Sequence, residues 1–274
     1  MQNNRQEPII RVRGLVNRFG TETVHDGLDL DVFAGEVLGV VGGSGSGKSV
    51  LLRTIIGLNR PLAGRVEVFG TDVLTMSDAE QRALEKRWGV LFLDGALFSS
   101  LTVAQNIEVP LKEFYHLSQR LMDEIAALKI GLAGLPEDAA PKFPAQLSGG
   151  MRKRAGLARA LALDPEIVFL DEPTAGLDPI AAGEFDNLIR DLKSSLGLTV
   201  FMVTHDLDTL FAICDRVAVL VDKKVRVGTL DQLLQDEHPW IRSYFHGPRG
   251  RAAQHAVAMH LPPGSARAAA SAAV

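Results

Sequence analysis

One stretch constrains this chain more than any other: Gly42-Gly43-Ser44-Gly45-Ser46-Gly47-Lys48-Ser49. It fits the pattern Gly-x-x-x-x-Gly-Lys-[Ser/Thr]. The run before it, Glu36–Val41, is apolar and of strand length. After it, Lys48–Leu58 reads as a helix closed by Asn59, Arg60 and Pro61. A glycine loop between a strand and a helix can curl so that successive backbone N–H groups converge on phosphate oxygens. The helix N-terminus adds partial positive charge. Lys48 brings a full charge to the β- and γ-phosphates, and Ser49 offers a hydroxyl to Mg²⁺. A merely flexible Gly-Ser loop needs neither Lys-Ser at its end nor a strand and helix on its flanks.

A second apolar strand, Ile167–Leu170, ends in Asp171 and Glu172. In α/β sheets, ligands bind at the carboxyl ends of such strands. Asp171 is placed to hold Mg²⁺ through water, and Glu172 to orient the attacking water. Alone, two acids after a strand more often only solubilise it; the phosphate loop makes this pair a candidate site. His205 follows the apolar strand Thr199–Val203. A lone histidine there is usually structural, but in this set it can contact the γ-phosphate and the water. The expected catalytic groups are therefore Lys48, Glu172 and His205, with Ser49 and Asp171 on the metal.

Leu147-Ser148-Gly149-Gly150-Met151 opens another helical pattern, which runs to Leu163. Ser148 is a good N-cap, and Gly149 and Gly150 expose N–H groups at the helix start. This is a second anion site in one chain, and one ATP does not need two from the same molecule. The economical reading is a head-to-tail pair of chains, the 147–151 loop of each capping the γ-phosphate held by the other. ATP would then join the dimer and hydrolysis release it.

Around these motifs, strands and helices alternate from Ile167 to Val221, which argues for a parallel sheet covered by helices. Earlier strands are expected at Ile9–Val16, Leu28–Phe33, Arg65–Phe69 and Val90–Leu93, and Ser77 as the N-cap of a helix to Arg87. Between Leu101 and Phe143 the pattern is helical, with Leu121, Ile125 and Leu128 on one face of a helix over Ser118–Ile130. The 274 residues suffice for one large α/β domain. A net charge of −4 gives no electrostatic reason to expect nucleic acid. The single cysteine, Cys214, excludes a disulfide framework and fits a reducing compartment. No stretch of signal-peptide type opens the chain, and no window approaches the roughly 18–20 apolar residues of a membrane span. If the protein works at a membrane, another chain is expected to span it. From Gly247 onward the sequence is Ala-rich without acidic residues and reads as a solvated tail.

Together these motifs resemble the nucleotide-binding subunit of the ABC transporter superfamily, over roughly residues 9 to 235. The resemblance implies an α/β P-loop NTPase of ABC type. Its mostly parallel core would carry an N-terminal antiparallel β subdomain and a helical subdomain inserted at about 94–163. One ATPase domain would fill 1–245, with a flexible tail over 246–274. It implies ATP and Mg²⁺ as cofactors. Ala175-Gly176-Leu177-Asp178 looks like the dimer-contacting D-loop, His205 like the switch histidine, and Phe19 like the aromatic that stacks on adenine. The implied partners are a second copy of the chain and an integral membrane permease.

A narrower resemblance is to the ATPases of Mla/Mce lipid transporters. It rests on 94–103 with Asn106-Ile107, on Met151, and on His238–Phe245. It implies transport of phospholipid or a related hydrophobic molecule, a periplasmic lipid-binding protein in the same system, and a place on the cytoplasmic face of the bacterial inner membrane. Leu93 departs from the family, which has Gln after Phe92. Leucine neither coordinates a metal nor makes a hydrogen bond, so hydrolysis or coupling slower than with glutamine is expected. The competing readings are an amino-acid-type importer ATPase, a soluble ABC ATPase of translation or DNA repair, and a nucleotide-binding regulator with little turnover. The second usually carries tandem cassettes or a long coiled coil, absent from this sequence. Intact Glu172 and His205 argue against the third.

Overall fold

The computed structural model describes residues 7–248, 250, 251, 253 and 254. Two sheets share one large apolar core. β1 (Pro8–Phe19), β2 (Glu22–Phe33), β4 (Ala63–Val68) and β5 (Thr71–Asp72) form an antiparallel sheet in the order β2-β1-β4-β5. β3 (Val37–Gly42), β6 (Trp88–Leu91), β7 (Ile167–Asp171), β8 (Thr199–Val203), β9 (Arg216–Val221) and β10 (Lys224–Gly228) form a second sheet, in the order β10-β9-β3-β8-β7-β6. All its pairings are parallel except β10 with β9. β7 and β8 are buried at every residue, so they carry continuous apolar runs rather than an alternating pattern.

Helix α1 (Lys48–Ile55) lies between the two sheets. Its Leu51, Leu52 and Ile55 join Ile10, Val12 and Leu30 of the antiparallel sheet and Val40, Phe169 and Phe201 of the parallel one in a single cluster. Burying such side chains stabilises by about 1.5–3 kcal/mol each, which fixes the helix that carries the phosphate loop. Helix α2 (Asp78–Glu85) starts at the expected Ser77, which forms a capping box with Glu80.

The helical insertion comprises α3 (Val103–Phe114), α4 (Gln119–Leu132) and α5 (Gly149–Ala160). α5 belongs to two clusters. Its Ala155 and Ala158 pack with Val103, Ile107 and Met122 of the insertion, and its Leu157 packs with Leu170 and Phe185 of the sheet side. The expected apolar face of α4 is corrected here. Leu121 and Leu128 are exposed, and the buried face is Met122, Ala126, Lys129 and Ile130. The helix carries two apolar stripes, and the insertion buries the one that Lys129 joins by pairing with Asp164.

Helix α6 (Pro179–Leu196) covers the sheet beside α5, and α7 (Leu207–Ile213) follows β8. Helices α8 (Leu230–Leu234) and α9 (Pro239–His246) pack on β9 through Leu233, Ile241 and Phe245, together with Ala253. Strand β10 and these two helices have no counterpart among the elements expected from the sequence. The expected tail lies largely outside the described residues. Within it, Ala253 is buried and the Gln254 amide donates to the Phe245 carbonyl.

Candidate functional site

The phosphate loop joins β3 to α1, as its motif requires. Gly47 sits at φ 95°, open to glycine at no steric cost. A Cβ there would lie 2.3 Å from Val24 Cγ1 and 2.5 Å from His25 Nε2. His25 is fully buried and belongs to a polar chain no motif announces. Its Nδ1 lies 3.1 Å from Asn17 Oδ1, Asn17 Nδ2 donates to Thr54 Oγ1, and Thr54 donates to the Val50 carbonyl. Burial pushes the His25 imidazole down to about 4, so it is neutral at physiological pH. The chain fastens the antiparallel sheet to α1 directly beneath the loop.

Lys48 Nζ donates to the carbonyls of Gly42 (2.9 Å) and Gly43 (3.2 Å), which aims the ammonium back across the loop. Burial holds Lys48 below its ordinary value, opposed by the nearby carboxylates of Glu172 and Asp171. Ser46 Oγ is buried without a partner, an open hydrogen-bonding position inside the loop. Ser49 Oγ donates to Asp171 Oδ1 at 3.3 Å, across from the end of β7. Two hard oxygens at the mouth of a phosphate loop fit Mg²⁺, which takes few protein ligands and completes its shell with water and phosphate. Among the described residues no cluster of three or more His, Cys, Asp and Glu side chains could hold a metal alone.

Glu172 follows β7 and adopts φ 52°, a left-handed conformation uncommon for a residue with a Cβ. Its N–H donates to the Val203 carbonyl at the end of β8. Its Oε2 lies 2.7 Å from His205 Nδ1. The acid is one-fifth exposed and the imidazole two-thirds exposed, so the pair stands at the surface with its working ends in solvent. The structure thus brings Lys48, Ser49, Asp171, Glu172 and His205 together at the carboxyl ends of β3, β7 and β8.

The other expected residues lie apart from this cluster. Ser148 caps α5, its Oγ accepting the Met151 N–H at 3.2 Å, with Ser148 and Gly149 exposed. Asp178 caps α6 by accepting from Ile180 and Ala181, beside Ile180, which is 77% exposed. Phe19 ends β1 with its ring half exposed. Leu93 is also exposed, just past β6.

Trp240 and Tyr244 are neighbours of this site that the sequence does not reveal. Their rings stack at 4.8 Å, the Tyr244 hydroxyl donates to the His205 carbonyl, and Trp240 lies against Gly43. Lys153 of α5 is another, its Nζ donating to the Glu172 carbonyl at 2.7 Å. No signal could find Lys153 from the sequence, because Arg152-Lys153-Arg154 reads as a solvated run.

Residues 25–175 match the protein family described as ABC transporter. The chain belongs to the ABC transporter family. It is an ATPase domain of that family, and it binds ATP. Its fold is similar to the dimeric post-hydrolysis state of the ATP-binding cassette MJ0796 bound to ADP and Pi. That match has a TM-score of 0.74 and 30% identity, and covers 81% of this chain and 98% of the other. Among sequence relatives, the probable ribonucleotide transport ATP-binding protein mkl of Mycobacterium leprae is 40% identical over 88% of this chain and 69% of that protein. The intermembrane phospholipid transport system ATP-binding protein MlaF of Haemophilus influenzae is 38% identical over 87% and 90%. The methionine import ATP-binding protein MetN of Lacticaseibacillus paracasei is 45% identical over 74% and 57%. These relatives' names give three different cargoes, as expected of a subunit that works on ATP rather than on cargo.

Proposed function

We propose that this ABC ATPase hydrolyses ATP at the cluster of Lys48, Ser49, Asp171, Glu172 and His205. The observation that carries this is the 2.7 Å Glu172–His205 contact beside the Ser49–Asp171 pair. Lys48 and the loop N–H groups hold the β- and γ-phosphates. Ser49 and Asp171 would hold Mg²⁺, Asp171 through water, and the ion would supply charge neutralisation at the phosphates. Glu172 orients the attacking water and accepts its proton. His205 fixes the Glu172 carboxylate and reaches the γ-phosphate. Phe19 offers its exposed face to adenine.

The ATPase works as a head-to-tail pair of chains, with Ser148, Gly149 and Gly150 of one completing the site of the other. The exposed cap of α5 and the exposed Asp178–Ile180 corner support this reading. The partner on the membrane side is a permease. An apolar groove of about 510 Å³, lined by Trp88, Phe92, Phe98, Pro110, Phe114 and Leu163, offers it a seat. No helix among the described residues is long and apolar enough to cross a membrane.

The cargo is phospholipid or a related hydrophobic molecule, moved with the help of a periplasmic lipid-binding protein at the bacterial inner membrane. The near end-to-end match to MlaF supports this. The higher identity to MetN favours a second reading, an amino-acid importer. The test is to isolate the tagged chain from detergent-solubilised membranes of its host and identify what accompanies it by mass spectrometry. Enriched phospholipid with a multi-span permease is the expected result. A permease with a small-solute binding protein and no enriched lipid would move the cargo to the second reading.

A further inference from the structure

Glu172 stands in a conformation that its own chemistry disfavours, and something must hold it there. The left-handed backbone at φ 52° is pinned from one side by the Val203 carbonyl accepting its N–H. From the other side, Lys153 Nζ donates to its carbonyl at 2.7 Å. Lys153 is only 3% exposed, a rare burial for a lysine. Burial disfavours its charge, and the carboxylates of Asp94, Glu172 and Asp171 favour it.

Lys153 is carried by α5, the helix that both the insertion and the sheet side bury. α5 is locked in turn to the segment 93–96. A Cβ on Gly156 would come within 2.8 Å of Gly95 Cα, and one on Gly95 within 2.7 Å of the Arg152 carbonyl. The Arg159 guanidinium donates to the carbonyls of Gly95 (2.9 Å) and Ala96 (2.7 Å). The segment 93–96 lines the apolar groove through Ala96. Leu93 within it has no group with which to reach the acids.

We propose that Lys153 is a positioning residue for Glu172, holding its backbone for water activation and linking it rigidly, through α5, to the segment 93–96. This rests on the assignment of Glu172 above. Lys153 meets Glu172 at its backbone carbonyl and acts through it. A small displacement of an orienting group is enough to slow chemistry by about 10²-fold.

The test uses the purified full chain and compares Lys153→Met, Lys153→Gln and Glu172→Gln. Three quantities are read: steady-state phosphate release, equilibrium binding of a non-hydrolysable ATP analogue, and thermal unfolding. Lys153→Met is expected to lower kcat by on the order of 10²-fold while KM and analogue affinity stay near the parent's. Lys153→Gln keeps an N–H donor on a shorter stem and recovers part of the loss. If Lys153→Met does not fold, Lys153→Gln still carries the test, with lowered kcat and parental analogue affinity expected. Parental kcat in both variants overturns the proposal. So does a loss of kcat matched by lost affinity and a lowered melting temperature, which marks a merely structural lysine. Undiminished turnover in Glu172→Gln overturns the Glu172 assignment itself, whereas an inactive Glu172→Gln with fully active lysine variants overturns the role of Lys153 alone.

Discussion

The phosphate loop and the signature loop at 147–151 are built from the same parts: glycines and a serine ahead of a helix. Their surroundings differ. The phosphate loop is anchored at its base, with Gly47 packed against Val24 and His25, Lys48 tied to two carbonyls, and α1 held between two sheets, while its tip at Ser44 and Gly45 is exposed. The signature loop is open, with Ser148 and Gly149 exposed. The difference teaches that one loop has charged groups of its own chain around it, Lys48 with Asp171 and Glu172, whereas the other presents its serine and glycine to solvent, where the proposed second chain would meet them. Lys48 makes part of the difference, since a full charge inside a loop of N–H groups outweighs a helix terminus alone, worth about 0.3–1 kcal/mol when exposed.

The largest effect expected from breaking the phosphate-loop site is at Glu172. Glu172→Gln lowers phosphate release by at least about 10²-fold while nucleotide binding persists, because no binding donor is lost; filter binding and turnover assays check both. Next is the open site. Ser148→Arg fills the exposed helix start, so turnover falls several-fold or more while ATP binding to the isolated chain is unchanged. Chains carrying Lys48→Ala and chains carrying Ser148→Arg, each impaired alone, regain turnover when mixed if the loops act in trans. Failure of that mixture to recover would break the comparison.

A smaller change is expected where the two regions communicate. Leu93→Gln places a hydrogen-bonding side chain at an exposed position just past β6, and transport-linked ATPase activity in the reconstituted complex rises a few-fold. No change there would overturn the reading that Leu93 slows coupling.

The smallest effect is on stability. Asp186 is buried between α6 and α7, bonded to Thr209, and burial pushes its carboxyl from 3.8 up to about 7. The folded state therefore keeps a proton that the unfolded chain releases near pH 4. The stability that this proton confers is full below about pH 4 and is lost as the pH rises to about 7. Asp186→Asn removes the dependence, so the melting temperature of the variant gains on the parent's between pH 5 and pH 8.

Motifs with a local mechanism are legible in the sequence. The phosphate loop, the acids after β7 and the caps at Ser77 and Ser148 depend on neighbours a few residues away, and the fold has them where their patterns require. The buried strands β3, β7 and β8 announce themselves by unbroken apolar runs. Legibility ends where burial depends on what another element supplies. On α4 two apolar stripes are available, and spacing points to Leu121, Ile125 and Leu128, of which Ile125 packs partly buried and Leu121 and Leu128 stay exposed. The C-terminal helices are short, and nothing around Trp240 and Tyr244 in the sequence hints that they reach Gly43 and His205.

Residue type and close spacing are enough to pick out the candidate groups for phosphate, cation and water. Only the tertiary structure decided the supports. Lys153 behind Glu172, the His25–Asn17–Thr54 chain under the loop, and Arg159 on the Gly95 carbonyl each join residues distant in sequence. A buried polar group must find its partner wherever packing leaves one, and packing is a property of the whole chain.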